Sequence, residues 1–420
     1  MDKEKLRHIW LAVITGGKGT RLFPISHEGC PKQFCDINNR SEKFIQVTIK
    51  RFLKLGISPT QVVVITTNPD QTRLAKEQVR GLGVLSQNIY EVEESWGYPG
   101  VMVKSTEIIA AHDREAIIIN TPSDQYIVDG DEFKKSVEEA INVAEQGSLA
   151  VVGVRITDLV TATGCGHVVY ESEEVDQFGF RKMKDFIEKP AEDIADQLMR
   201  NSGSACNTGI NVWRATRLLE TITPDAILIR RIESNDRGFK WELKTDEFLK
   251  MMPEVRAISG EFSWYDCGTL QALYEISPKT PNHKNASIGG GEIYRTDCLE
   301  NLFYAPEGFR LHATGFRGVC GAVNTVKING VWRSISCITR MSDSQRVKEL
   351  AENILASKYV LGADFQLNAR NNTVMRSNVS DEMIFGFVGV ENCIISAYKN
   401  PDGIFDVYMS QQAAPDLATC

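Results

Sequence analysis

Three glycines and two cations stand close together near the start of the chain: Gly16, Gly17 and Gly19, then Arg21 and, eleven residues on, Lys32. They follow the apolar run Ile9-Trp10-Leu11-Ala12-Val13-Ile14, which reads as a buried strand. Glycines after a strand let the backbone approach an anion closely and turn its N–H groups toward it. Two positive charges added to such a turn suit a triphosphate. The run lacks the Gly-Lys-Ser/Thr ending of a P-loop and the spacing of the dinucleotide fingerprint. Taken alone, it is equally a flexible turn.

Five further segments carry candidate chemistry. Thr121-Pro122-Ser123-Asp124-Gln125 follows the apolar run 116–120, and open α/β sheets bind ligands beyond the carboxyl ends of their strands. Asp124 there is placed to hold a divalent cation, although an Asp after a strand also serves as a turn residue or helix cap. Ser263-Trp264-Tyr265-Asp266-Cys267-Gly268-Thr269 offers a second carboxylate at Asp266. Asp185-Phe186-Ile187-Glu188-Lys189-Pro190 presents a Lys, a compact point charge suited to phosphate, or simply an exposed turn. Asn207-Thr208-Gly209 and Thr163-Gly164-Cys165-Gly166-His167 are glycine-containing turns that permit close backbone approach.

In order and spacing these segments resemble the sugar-1-phosphate nucleotidyltransferases, most closely the mannose-1-phosphate guanylyltransferase branch. There Gly-Gly-x-Gly-Thr-Arg-Leu-x-Pro is followed by Pro-Lys-Gln-Phe, as Gly16 to Pro24 and Pro31 to Phe34 are here. The resemblance covers roughly residues 8 to 275 and weakens through about 355. It implies a Rossmann-like, GT-A-like catalytic fold followed by a β-rich unit of left-handed β-helix-like turns. Gly16, Gly17, Gly19, Thr20 and Arg21 would bind the nucleotide. Arg21, Lys32 and Asp124 would be catalytic, and Asp124 and Asp266 would hold Mg²⁺. Gly166, Glu188, Lys189 and Asn207 would bind the sugar phosphate.

The implied reaction is transfer of a nucleoside monophosphate from an NTP, GTP favoured, to mannose 1-phosphate or a related sugar 1-phosphate. The chain departs from the branch in three places. Gln125 stands where His is usual, and Cys165 and His167 replace more usual small and aromatic residues. Glu91 to Gly100 lacks the expected Arg-Asn-Thr-Ala, leaving Trp96 and Tyr98 as either core aromatics or a stacking surface. These departures keep open another hexose or a heptose 1-phosphate, or a non-catalytic regulatory paralogue.

The composition fits this class. At 420 residues the chain is long enough for two domains, and 42% hydrophobic with 24% charged residues is ordinary for a globular protein. A net charge of −8 argues against a nucleic-acid partner, which would need a basic surface. The first residues lack the apolar region of a signal peptide, and there is no run of about 18 apolar residues to span a membrane. The ten cysteines are scattered without a Cys-x-x-Cys pair, which disfavours a zinc site and a disulfide framework and favours buried cytosolic thiols.

The elements that must position these residues follow from periodicity. Strand-like runs at 61–66, 116–120 and 148–154 alternate with helix-like runs at 70–81, with Asp70 as N-cap, and at 131–146. This predicts an α/β domain with a mixed, mainly parallel sheet flanked by helices on both faces. Paired strands are expected at 167–170 and 180–186, and a helix near 214–221. Residues 1–276 then form the catalytic domain. Residues 277–291, with two prolines and three consecutive glycines, read as a linker, and 292–420 as a β-rich domain. Gly315-Phe316-Arg317-Gly318-Val319 is echoed by Gly386-Phe387-Val388-Gly389-Val390, with Asn301 and Asn372 at the same offset, which suggests a duplicated unit. A cytoplasmic homodimer, paired through this region, is the expectation from family habit.

Overall fold

The computed structural model describes residues 3–17, 19–36, 42–92, 96–128, 130–200, 203–223, 225–227, 243–328, 331–356, 364–367, 369–370, 372–377 and 383–411. They divide into two compact units. The first comprises Met1–Gly16 and Ile45–Asp266, the second Gly17–Phe44 and Cys267–Cys420. Among the described residues no helix is long and apolar enough to cross a membrane.

The first unit contains β1 (Ile9–Ile14), β2 (Val62–Thr66), β3 (Ile89–Glu91), β4 (Ile117–Pro122), β5 (Tyr126–Ile127), β6 (Leu149–Val154), β7 (Gly166–Tyr170), β8 (Arg181–Glu188), β9 (Ser204–Arg214), β10 (Val255–Gly260) and β11 (Trp264–Tyr265). Nine of them form one sheet in the order β3-β2-β1-β4-β9-β6-β10-β8-β7. Every residue of β1, β2 and β6 is buried, which explains their unbroken apolar runs: helices cover both faces of such strands. The helix Asp131–Glu145 buries Phe133, Val137, Ile141 and Ala144, the stripe expected from its spacing. The helix after β2 spans Pro69–Val79, and its cap is Asn68 rather than Asp70. Asn68 Oδ1 accepts from Gln71 N at 2.9 Å, while Pro69 occupies the first helical position, where no donor is needed.

The mixed sheet expected from the sequence is parallel at β3-β2-β1-β4 and at β6-β10 and antiparallel elsewhere. β9 runs antiparallel to both β4 and β6, and β7, β8 and β9 pair antiparallel with one another or with β10. The inserted β9 still leaves β1, β4, β6 and β10 pointing the same way, so their carboxyl ends share one edge. Because β7 pairs with β9 as well as with β8, the strands β9-β6-β10-β8-β7 close into a ring.

The second unit holds two further sheets. One has six strands, in the order Ala286–Ile288, Leu302–Tyr304, Val319–Ile328, Val331–Arg340, Met383–Val388, Asp364–Leu367. The other has five, in the order Glu292–Thr296, Phe309–Thr314, Phe405–Gln411, Cys393–Lys399, Thr373–Ser377. Their shared core includes Phe303, Phe316, Phe385, Phe387, Leu311 and Val407. Part of the segment read as a linker is therefore strand, since Ala286–Ile288 pairs in parallel with Leu302–Tyr304.

The internal echo exists in a different register. Asn301 Oδ1 accepts from Val319 N and its Nδ2 donates to Phe316 O. Asn372 repeats this on Cys393 N and Val390 O. Gly315-Phe316-Arg317-Gly318-Val319 is thus matched by Gly389-Val390-Glu391-Asn392-Cys393, three residues beyond the sequence echo. Positive φ recurs at Gly315 and Gly389 (79° and 63°) and at Gly318 and Asn392 (64° and 57°). The sequence match at Gly386 rests on glycine identity, but that residue lies inside a strand.

Candidate active site

The two carboxylates read from the sequence lie at one end of a short ladder in the first unit. β5 and β11 form a two-residue antiparallel ladder with Tyr265 opposite Tyr126 and Trp264 opposite Ile127. Asp124 precedes this ladder on one strand and Asp266 follows it on the other, so both lie at the same end. Asp124 is half-buried and Asp266 exposed. Among the described residues no cluster of three or more His, Cys, Asp or Glu side chains could hold a metal. Two hard oxygen donors without His or Cys fit Mg²⁺, which keeps waters and takes its remaining ligands from phosphate.

The sugar-phosphate candidates also converge. Gly166 is opposite Glu188 in the β7–β8 ladder, and His167 is opposite Cys206 in β7–β9, which brings Asn207 beside Gly166. A Cβ on Gly166 would stand 2.3 Å from Phe186 Cζ and 2.8 Å from Glu188 Oε2, so only glycine lets the carboxylate lie there. Lys189 follows with φ 43°, unusual for a residue with a side chain, and its N–H donates to Cys165 O at 3.2 Å. Its Nζ stays exposed, 3.8 Å from Glu188 Oε1. Asn207 Oδ1 accepts from Gly209 N at 2.8 Å, which commits its oxygen to the turn and directs its function to Nδ2.

Three side chains that the sequence reading did not place join this turn to the Asp124 loop. Gln125 Nε2 donates to Thr208 O at 2.6 Å, and this structural bond is what stands where the branch has His. Tyr98 Oη donates to Gly209 O at 3.0 Å and accepts from Asn120 Nδ2 at 2.7 Å. Burial, then Asp124 nearby, pushes the Tyr98 hydroxyl pKa well up, so it remains a donor at neutral pH. Trp96 and Tyr98 pack against the core, which favours the core reading of those aromatics; residues 93–95 lie outside the described set. Asn120 Oδ1, Ser123 Oγ, Gln125 Oε1 and Asn211 Oδ1 are buried without a hydrogen-bond partner in the protein. The polar residues Asn120 and Thr121, buried where the apolar run of β4 ends, were the available signal.

The cysteines correct the sequence reading. Cys165 and Cys206 form a disulfide, while Cys30, Cys35, Cys267, Cys298, Cys320, Cys337 and Cys393 carry thiols. The partners are 41 residues apart, and only the β7–β9 register brings them together. No local spacing could have revealed it.

Gly16 ends the first unit's β1 segment, and Gly17, Gly19, Thr20, Arg21 and Lys32 belong to the second unit. There Gly19 takes φ 68°, and a Cβ on it would meet Ser26 Oγ at 2.7 Å and Lys32 N at 3.2 Å. Ser26 Oγ donates to Gly19 O at 2.6 Å. The loop thus doubles back, bringing the Gly19–Arg21 turn onto the start of Lys32–Phe34. Asn324 Nδ2 donates to Pro24 O at 2.7 Å, and the helix Ser344–Ala356 packs against Thr20–Leu22. The signature loop is therefore shaped partly by residues three hundred positions away.

His27, in the same loop, is 2% exposed, and burial lowers its pKa to about 4. Its folded pKa lies below the unfolded value, so the unfolded chain takes up the proton first as pH falls. Stability of the second unit is expected to drop between about pH 6.5 and 4, by about 2 kcal/mol at pH 5. Urea unfolding at pH 8 and 5 checks this, and a His27→Gln variant should lack that share of the dependence.

Comparison with known proteins decides the class. The model of the family described as nucleotidyl transferase matches residues 11–283. The chain belongs to the nucleotidyl transferase family. A Vibrio cholerae serotype O1 protein provisionally named mannose-1-phosphate guanylyltransferase is 27% identical over 363 residues, 82% of this chain and 74% of that protein. Mannose-1-phosphate guanylyltransferase 2 of Escherichia coli O157:H7 is 25% identical over 81% of this chain and 72% of its own length. The alginate biosynthesis protein AlgA of Pseudomonas aeruginosa is 28% identical over 64% of this chain, which spans 59% of that longer protein. A solved Thermus thermophilus structure, described as a mannose-1-phosphate geranyltransferase, superposes with TM-score 0.65 at 21% identity, covering 83% of this chain and all of that one. That likeness establishes the shared fold.

Proposed function

We propose that this nucleotidyl transferase moves a nucleoside monophosphate from an NTP, GTP favoured, to mannose 1-phosphate or a closely related sugar 1-phosphate, releasing pyrophosphate. The observation that carries the reading is the convergence of Gly166, Glu188, Lys189 and Asn207 beside the turn bonded to the Asp124 loop. The sugar 1-phosphate oxygen attacks the α-phosphorus, the bond to the β-phosphate oxygen breaks, and pyrophosphate leaves. The attacking phosphate is already ionised, so positioning and charge neutralisation dominate over proton transfer.

In this reading Lys189 holds the sugar phosphate, while Glu188 and Asn207 receive sugar hydroxyls. Arg21 and Lys32 of the second unit are assigned the triphosphate, with Gly16, Gly17, Gly19 and Thr20 supplying backbone contacts. Asp124 and Asp266 would hold Mg²⁺, which when bound supplies positive charge to the phosphates. A cytoplasmic homodimer belongs to the same reading, and light scattering on the full chain tests the dimer.

A pyrophosphate-release screen of four NTPs against a panel of sugar 1-phosphates, with Mg²⁺ and with EDTA, tests the function. Metal-dependent release with GTP and mannose 1-phosphate is the expected result. Release with a heptose or another hexose 1-phosphate would move the substrate. Silence from folded, nucleotide-binding protein would favour a regulatory paralogue. A Tyr98→Phe variant tests the bonded turn: KM for the sugar 1-phosphate should rise about five- to tenfold, the effect of one buried hydrogen bond of about 1 kcal/mol. KM for the NTP should stay unchanged.

A further inference from the structure

The chain's disulfide lies where the sugar-phosphate candidates meet. Cys165 immediately precedes Gly166, and its carbonyl accepts the Lys189 N–H at 3.2 Å, so its backbone holds both the glycine and the lysine. Cys206 immediately precedes Asn207. One S–S bond therefore ties β7, the end of β8 and the start of β9 at the point where Gly166, Glu188, Lys189 and Asn207 stand.

The bond is buried, with Cys206 1% and Cys165 8% exposed, so a reductant would have to reach it through the cavity beside it. Cys206 lines a cavity of about 480 Å³ together with Arg155, His167, Arg181, Ser204 and Glu261. Its wall carries two arginines, Arg155 and Arg181, against one carboxylate, Glu261, and Arg181 also stands 3.6 Å from Glu173. His167 Nε2 donates its hydrogen to Ala162 O at 2.8 Å and lies 3.6 Å from Cys165 Sγ. Another close pair, Cys30 and Cys35, stands as two thiols with sulfurs 3.6 Å apart.

We propose that Cys165–Cys206 is a thiol–disulfide exchange site for a dithiol reductant, and that its redox state sets the affinity for sugar 1-phosphate. One thiolate of the dithiol attacks Cys206 Sγ, and Cys165 leaves and takes a proton. The second thiol of the dithiol then attacks the mixed disulfide and releases Cys206 as a thiol. Two electrons and two protons pass to the pair, and the dithiol departs as its own disulfide. Opening the bond releases the start of β9 from the Cys165 turn, so the Asn207 and Lys189 groups lose their fixed spacing. The bond also closes a loop of 41 residues, which restricts the unfolded chain and so favours the folded state.

The affinity half of this proposal rests on the function proposed above, and the test separates the two. Full-length protein is poised with trans-4,5-dihydroxy-1,2-dithiane or with dithiothreitol, and the pair is located by peptide mapping, which distinguishes it from Cys30 and Cys35. Hydrogen exchange over 160–167 and 204–209 is then compared between the two states, alongside KM for mannose 1-phosphate and GTP. The expected result is faster exchange after reduction and a rise of about tenfold in KM for the sugar 1-phosphate, with KM for GTP unchanged. A Cys165→Ser/Cys206→Ser variant should hold the reduced-state values under both conditions.

Changed exchange without transferase activity in either state would keep the latch and remove the proposed reaction. Unchanged exchange and unchanged KM would overturn the proposal, as would finding Cys165 and Cys206 still reduced after oxidation.

Discussion

An Asp124→Asn variant is expected to lose about 10²–10³ in kcat, or ~3–4 kcal/mol of barrier, the scale of losing one pre-organised electrostatic group. The substitution is isosteric, so β4 and the β5–β11 ladder should keep their geometry. What changes is charge: a carboxylate that offsets part of a divalent cation's charge becomes a neutral amide and a weaker ligand. The Mg²⁺ concentration for half-maximal rate should therefore rise as kcat falls, while KM for the sugar 1-phosphate moves little. Asp266→Asn should show the same pair of changes, because the ladder gives the two carboxylates one shared end. Pyrophosphate release measured across a Mg²⁺ titration checks both variants. Wild-type turnover by either would remove that residue from the proposed metal site.

The second large effect is expected from one methyl group. In a Gly166→Ala variant the new Cβ falls 2.3 Å from Phe186 Cζ and 2.8 Å from Glu188 Oε2. Phe186 is buried in the core with Val168 and Tyr170, so its ring has little freedom to retreat. Overpacking of this kind costs about 1–3 kcal/mol, which should appear as a lower urea midpoint with an unchanged slope. The exposed Glu188 carboxylate can swing away, and its displacement should weaken sugar 1-phosphate binding more than NTP binding. A Gly166→Ala protein with wild-type stability and wild-type sugar KM would contradict both the packing and the role given to Glu188.

Much of the fold is legible in the sequence because local rules dominate there. The fully buried strands β1, β2 and β6 show as apolar runs, and the helix Asp131–Glu145 shows in its four-and-three spacing. The cap at Asn68 escapes such a reading because Asp70 also satisfies the composition rule. Hydrogen bonding, not residue type, distinguishes a residue that precedes Pro69 from one inside the first turn. The antiparallel entry of β9 escapes it because burial on both faces gives the same apolar run in either direction. The repeat in the second unit is visible at Asn301 and Asn372 but misaligned beyond them. There, shared φ > 0 and carbonyl geometry outrank the identity of Gly and Phe.

The candidate site divides along the same line. Sequence by itself determined which side chains are chemically able: Asp124 and Asp266 as hard ligands, Lys189 and Glu188 as a charged pair after a strand, and the glycine loop with Arg21 and Lys32. It did so because chemistry depends on residue type and short spacing. Only the tertiary structure decided what joins them. The β5–β11 ladder aligns two carboxylates 142 residues apart, and Tyr98, Asn120 and Gln125 bind the Asn207–Gly209 turn to the Asp124 loop. The β7–β9 register closes the Cys165–Cys206 bond, and Asn324 reaches the signature loop from the far end of the sequence. Each of these contacts depends on strand pairing between distant segments, and pairing partners are chosen by the packed whole rather than by any local run of residues.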